Sequence, residues 1–152
     1  MDDEDWLRRE YASAYRTACL LLLDPLDAAE VVQSAFLRLW TFRDALPADA
    51  TRRGWLYRVV VRACTTGPPA HRTTHGQHTE LLAALTDLPE DLRVALVLRY
   101  AAGLSDEEIA VAVRRRPAAV KKLLDEARQR LALDPRLAPG GADPDPDLEA
   151  TR

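Results

Sequence analysis

The chain has 152 residues, a formal net charge of -3 and a composition that is 47% hydrophobic with only 6% aromatic side chains, enough to bury one medium or two small helical cores. Its longest apolar run, Ala18 to Leu23, is far shorter than the roughly 20 residues of a membrane span, and the acidic start MDDEDW lacks the basic opening of a signal peptide. A cytoplasmic chain without a membrane span is therefore expected, and Cys19 and Cys64, which share no metal-pair spacing, are expected as reduced thiols.

In chain order, apolar periodicity predicts helices over Asp5 to Leu23, Leu26 to Ala45 and Thr51 to Thr65, with breaks at Asp24-Pro25 and Leu46-Pro47-Ala48. In the second of these, Ala28, Val31, Val32, Ala35, Phe36, Leu39 and Trp40 share one apolar face, while Gln33, Arg38 and Arg43 point elsewhere. The run TTGPPAHRTTHGQHT that follows has no such periodicity and reads as a flexible linker. Cys64, His71, His75 and His78 fall in and beside it. Without a short Cys pair or a capped helix to fix them they read as linker residues, and no metal, cofactor or catalytic constellation is assigned.

A short helix from Glu80 to Thr86 leads into LPEDLRVALVLRYAAGLSDEEIAVAVRRRPAAVKKLLDEARQRL, Leu88 to Leu131, which divides into three helices joined by two turns. Leu92, Ala95, Leu96 and Tyr100 line one face of the first. Gly103 ends it, and Ser105 with Asp106, Glu107 and Glu108 supplies an N-cap, a capping-box carboxylate and negative charge at the next helix's positive end. That helix runs to about Val113. Pro117 suits the first turn of the third, whose Val120, Leu124, Ala127 and Leu131 return to the apolar side. Seven Lys or Arg against two acids between Arg114 and Leu133 make this third helix locally basic in an acidic chain. A capped helix, a short turn and a basic helix together form a helix-turn-helix suited to phosphates and base edges in a major groove. The Pro, Gly and Asp-rich stretch after Leu133 is expected to be a disordered acidic tail.

The order of these parts resembles an extracytoplasmic-function (ECF) sigma factor of bacterial RNA polymerase, over about Tyr11 to Leu131. Glu30, Gln33, Phe36, Leu39 and Trp40 match that family's acidic, glutamine, Phe and Leu-Trp pattern, RGWLYRVVVRA from Arg53 matches its next helix, and Leu88 to Ala110 matches the start of its region 4. The resemblance implies an all-α chain of two small helical domains: a region 2-like bundle at 1–66, a linker at 67–79, a region 4-like helix-turn-helix at 80–133 and the tail at 134–152.

It further implies that Glu30, Gln33, Phe36, Arg38, Leu39 and Trp40 bind polymerase. Arg52, Arg53, Trp55, Arg58 and Arg62 would serve the minus-ten element, and Arg114, Arg115, Arg116, Lys121, Lys122 and Arg128 the minus-thirty-five element. Core polymerase, promoter DNA and an anti-sigma factor are the implied partners. Three departures fall where the family touches DNA. The Trp55 helix leads through Arg62 and Thr66 into GPPAHRTTHG in place of an Asn, an Asp and a basic cluster; Arg114 and Arg116 replace a Gly and a Ser or Thr cap; and Leu123 and Glu126 stand at often basic positions. They leave a second reading open, a sigma-like regulatory or decoy protein that binds polymerase or a partner without opening promoters.

Overall fold

The computed structural model describes residues 2–49, 51–66 and 80–138; the expected linker, its three histidines and most of the acidic tail lie outside them. The described residues are all helical or in turns: α1 (Asp3–Leu22), α2 (Pro25–Thr41), α3 (Arg52–Thr66), α4 (Glu80–Asp87), α5 (Glu90–Tyr100), α6 (Asp106–Val113) and α7 (Pro117–Ala132), with short 3-10 turns at Arg43–Ala45 and Pro135–Leu137. No described helix is long and apolar enough to cross a membrane.

Local chemistry fixes the ends. The Asp24 carboxylate accepts from the Leu26 and Asp27 amides at 2.9 and 3.1 Å and caps α2, so that Pro25, which donates no backbone bond, fills the first helical position. The expected second helix ends at Thr41, four residues early, because Phe42 leaves helical geometry and the chain tightens into the 3-10 turn. Gly103, at a φ of +68°, ends the turn after α5 and lets the Leu104 amide reach back to the Leu98 carbonyl at 3.1 Å. Ser105 caps α6 in a complete capping box: its hydroxyl accepts from the Glu108 amide at 3.2 Å, and the Glu108 carboxylate accepts from the Ser105 amide at 3.0 Å. The next turn is built differently. Arg114 adopts the left-handed conformation (φ +58°), and Arg116 opens α7 with no side-chain cap.

The N-terminal helices α1, α2 and α3 pack on one another, with Ala14, Ala18, Ala28, Val32, Leu56 and Val60 buried between them. The buried Tyr57 hydroxyl donates to Ser13 Oγ at 2.6 Å, and Thr17 satisfies its own hydroxyl on the Ser13 carbonyl. In the C-terminal half α5 is the central helix. Leu92, Ala95 and Leu96 are buried as their periodicity predicts, but so are Val94, Val97 and Leu98, because helices cover α5 on several sides. Tyr100, expected on the apolar face, is instead 64% exposed, its ring beside Arg128. Val120, Leu124 and Ala127 of α7 are buried as expected, and Leu123 joins them.

The two halves do not stand apart. The most extensive helix pairing among the described residues is between α3 and α6, and one continuous buried cluster runs from Trp6 to Ala127. Gly54 is the point of closest approach: a Cβ there would lie 2.7 Å from both the Glu108 carbonyl oxygen and Val111 Cβ.

The contrast between the two turns sets a stability test. Ser105→Ala, which removes one side of the capping box, should lower unfolding free energy by about 1 kcal/mol in urea denaturation, and Arg116→Ser, which offers α7 a cap, should raise it by a few tenths to about 1 kcal/mol.

Candidate functional site

Three groups of candidate residues were expected, and the structure sorts each into outward-facing and supporting members. On α2, Glu30, Gln33 and Arg38 are exposed, whereas Leu39 is buried and Phe36 is half-buried, packed edge-on against Tyr11 with ring centroids 5.1 Å apart. Trp40 is 41% exposed and carries the Arg43 guanidinium 4.2 Å over its ring. Two neighbours that the sequence reading passed over, Leu37 at 64% and Phe42 at 61% exposure, complete an outer stripe running Glu30, Gln33, Leu37, Trp40 at helical spacing. A large apolar side chain off the buried face of an amphipathic helix was the available signal for Leu37.

On α3, Arg52 is ion-paired to Asp3 and stacked 4.2 Å over the buried Trp6 ring, so it serves the N-terminal bundle. Arg53 is a junction. It pairs with Glu10 of α1 at 2.9 Å, donates to the Ala102 carbonyl at 2.7 Å and lies 3.9 Å from the Glu108 carboxylate. Burial alone would depress its pKa, but Glu10 and then Glu108 carry it above the ordinary arginine value, so the group is firmly charged. Arg58 lies 4.2 Å over the half-exposed Trp55 ring and donates from Nε to the Val111 carbonyl at 2.9 Å. Its pKa is pushed down, by burial first and then by the Arg114 charge.

Arg58 is one wall of an open cleft of about 940 Å³ where α2, α3 and the turn after α6 meet. Arg38, Arg62, Arg114 and Arg115 line the same cleft. Among the described residues Arg38, Arg62 and Arg114 form no ion pair, and Arg115 has only a 3.7 Å approach to Asp91. Candidates assigned to three separate roles thus converge on one concave surface, where these five arginines outnumber the two carboxylates that also line it, Glu90 and Asp91.

On α7, Lys121 and Lys122 are exposed and unpaired among the described residues. Arg128 donates to the Tyr100 hydroxyl at 2.9 Å and approaches Asp125 at 3.5 Å, so it is held against the helix-turn-helix rather than projected outward. Arg116 is exposed at the helix start. Leu123, which stands at an often basic position, is 8% exposed and packs inward, so it takes nothing from the outward face; the exposed positions include Ala118, Lys121, Lys122 and the acids Asp125 and Glu126, the latter paired with Arg130 at 3.0 Å.

The model for Sigma-70 region 2 matches residues 6–67, and that for Sigma-70, region 4, matches 78–131. The chain belongs to the extracytoplasmic-function sigma factors. The RNA polymerase sigma-E factor of Streptomyces coelicolor is 29% identical, with 86% of this chain and 84% of the relative covered. The ECF RNA polymerase sigma-E factor of Escherichia coli K12 is 28% identical, covering 74% and 75%. Two solved folds resemble it: CnrH in complex with the cytosolic domain of CnrY (TM-score 0.75, 22% identity, 86% and 84% covered), and the sigma factor RpoE in complex with the anti-sigma factor NepR from Bartonella quintana (TM-score 0.67, 20% identity, 85% and 93% covered). Both solved relatives were captured with a partner, and the all-helical architecture expected of this ECF sigma factor is the one observed.

The described residues include no cluster of metal-ligating side chains. Cys64 is described; burial, and next the nearby Cys19, push its thiol up to about 12. Such a thiol has almost no thiolate at neutral pH. Cys64 should therefore resist iodoacetamide at pH 8 in the native protein and react once the chain is unfolded in urea, as followed by mass spectrometry.

Proposed function

We infer that this ECF sigma factor binds bacterial core RNA polymerase through α2 and directs it to promoters through α3 and α7, with all phosphoryl-transfer chemistry performed by the polymerase. The observation that carries the reading is the presence of both sigma regions, in order, on one chain. The protein then acts in the cytoplasm and needs no catalytic residue or cofactor of its own. The outer stripe of α2, with Glu30, Gln33, Leu37 and Trp40, joins apolar area to a few polar anchors, which suits a stable protein interface.

At the minus-thirty-five element, α7 enters the major groove by its N-terminal half, placing Lys121 and Lys122 against phosphates and Arg114, Arg115 and Arg116 beside the backbone or guanine edges. At the minus-ten element, Trp55 offers a stacking face to an unpaired base while Arg58 and Arg62 meet the single strand's phosphates. An anti-sigma factor, the kind of partner seen with the Bartonella relative, would control access to these surfaces. An apolar groove lined by Leu20, Leu81, Leu85, Val97, Tyr100 and Leu131 has a volume of about 450 Å³.

Run-off transcription with purified core polymerase on a library of promoter fragments tests the reading. Wild type should yield specific transcripts, and Gln33→Ala/Arg38→Ala should lose both core binding and transcripts. Lys121→Ala/Lys122→Ala should keep core binding, lose most transcript and, in promoter-binding titrations, lower the slope of log affinity against log salt by about 2. Core binding by the wild type with no transcript from any fragment would refute the initiating role.

A further inference from the structure

The arginine-lined cleft holds more positive charge than its own walls neutralise. Glu90 and Asp91 are the carboxylates that line it, and Asp91 approaches Arg115 at 3.7 Å. Arg38, Arg62 and Arg114 have no ion pair among the described residues. Arg58 feels the crowding, because the Arg114 charge adds to burial in pushing its pKa down. An anion set among these groups relieves that repulsion.

The chain brings the complementary charge to the edge of this cleft. After α7, Arg136 pairs with Asp134 at 2.7 Å and with Asp87, the last residue of α4, at 2.8 Å. Only Leu88 and Pro89 separate Asp87 from Glu90 on the cleft wall, a span of at most about 11 Å. Two residues past Arg136, after Ala138, the sequence continues PGGADPDPDLEATR. Four residues, two of them glycine, lie between Ala138 and Asp143, which gives a reach of up to about 17 Å. Asp143, Asp145, Asp147 and Glu149 then alternate with Pro144, Pro146 and Leu148. Proline disfavours helix at the residue before it, and in an extended chain alternate residues lie about 6 to 7 Å apart. Carboxylates at that spacing suit a surface of several guanidinium groups, and a stiff extended segment loses little entropy on docking.

We propose that the arginine cleft is a binding site for an acidic extended peptide, occupied by the chain's own residues 143–149 in competition with nucleic acid. The outer face of α7 is the poorer match, since Asp125 and Glu126 stand beside Lys121 and Lys122 there. Ion pairs at an open cleft are individually weak, but the short tether holds the peptide at an effective concentration on the order of millimolar. Arg58, Arg62, Arg114 and Arg115 are also candidate DNA contacts, so the docked peptide and a phosphate backbone draw on the same cations. That the nucleic acid is promoter DNA rests on the sigma-factor reading.

Two changes in the full-length chain test this. The first, Asp143→Asn/Asp145→Asn/Asp147→Asn/Glu149→Gln, removes the charge and keeps the length and the prolines. The second is a nitroxide on Ala150→Cys in a Cys19→Ser background, where the buried Cys64 thiol resists labelling. At about 50 mM salt the nitroxide should broaden the backbone amide NMR signals of Arg62, Arg114 and Arg115. The broadening should vanish when the four carboxylates are neutralised or when salt is raised to about 500 mM. The neutralised chain, unlabelled, should bind a fluorescein-labelled pool of random single strands of about 30 nucleotides at least about fivefold more tightly than wild type at the lower salt, the ratio approaching one at the higher.

No broadening at the cleft, broadening centred on Lys121 and Lys122 instead, or a neutralised chain that binds single strands no better than wild type would each overturn the proposal. Docking and the gain in affinity, with no transcript from either chain and core polymerase, would leave the cleft's assignment standing and refute the sigma-factor reading.

Discussion

The structure turns on the close approach of α3 and α6 at Gly54. Without a side chain there, the backbone of one helix meets the side of the other, and the flanking Arg53 and Arg58 come within reach of carbonyls that helix ends leave unsatisfied. Arg53 also holds Glu10 of α1 and Glu108 of α6, so a single guanidinium ties the N-terminal bundle to the helix-turn-helix. A largely enclosed arginine needs its charge compensated, and the two carboxylates do this for Arg53 while its Nη2 donates to the Ala102 carbonyl. The continuous core from Trp6 to Ala127 follows from this approach.

Much of the helical framework was legible in the sequence because it is local. The break at Asp24-Pro25, the cap at Ser105, the break at Gly103 and the buried faces of α2 and α7 all follow from chemistry within a few residues. What was not legible depends on tertiary neighbours. Periodicity gave α5 one buried face, while the structure buries Val94, Val97 and Leu98 as well, since a pattern cannot report how many sides of a helix are covered. Tyr100 failed in the opposite sense, its ring lying outside beside Arg128.

The arginines of α3 illustrate the limit for the candidate site. Arg52, Arg53, Arg58 and Arg62 look alike in a basic helix, yet Arg52 stacks on Trp6, Arg53 joins the halves, Arg58 caps α6 and Arg62 stays exposed and unpaired among the described residues. Their partners are dozens of residues away in sequence, and no local rule assigns them. The same holds for Gly54, which in sequence is only a glycine inside a helix, a position that ordinarily costs about 1 kcal/mol relative to alanine. Its reason is a neighbour 54 to 57 residues downstream.

The charge distribution explains how a chain of net charge -3 can still address a polyanion. Within a Debye length of about 8 Å at physiological ionic strength, only local charge matters. The cleft with Arg38, Arg62 and Arg114 and the outer face of α7 with Lys121 and Lys122 are each positive on that scale. Carboxylates such as Glu10, Glu108 and Asp106 are instead engaged internally, with Arg53 and Arg99. Burying acids against structural arginines while leaving other cations unpaired separates the two tasks of positive charge in this protein. One set holds helices together at fixed distances, and the other is the set proposed to exchange water and counterions for phosphates. On the proposed reading Arg58 belongs to both sets, and its contacts with Val111, Trp55 and Arg114 would make it the residue at which folding and nucleic-acid binding draw on the same charge.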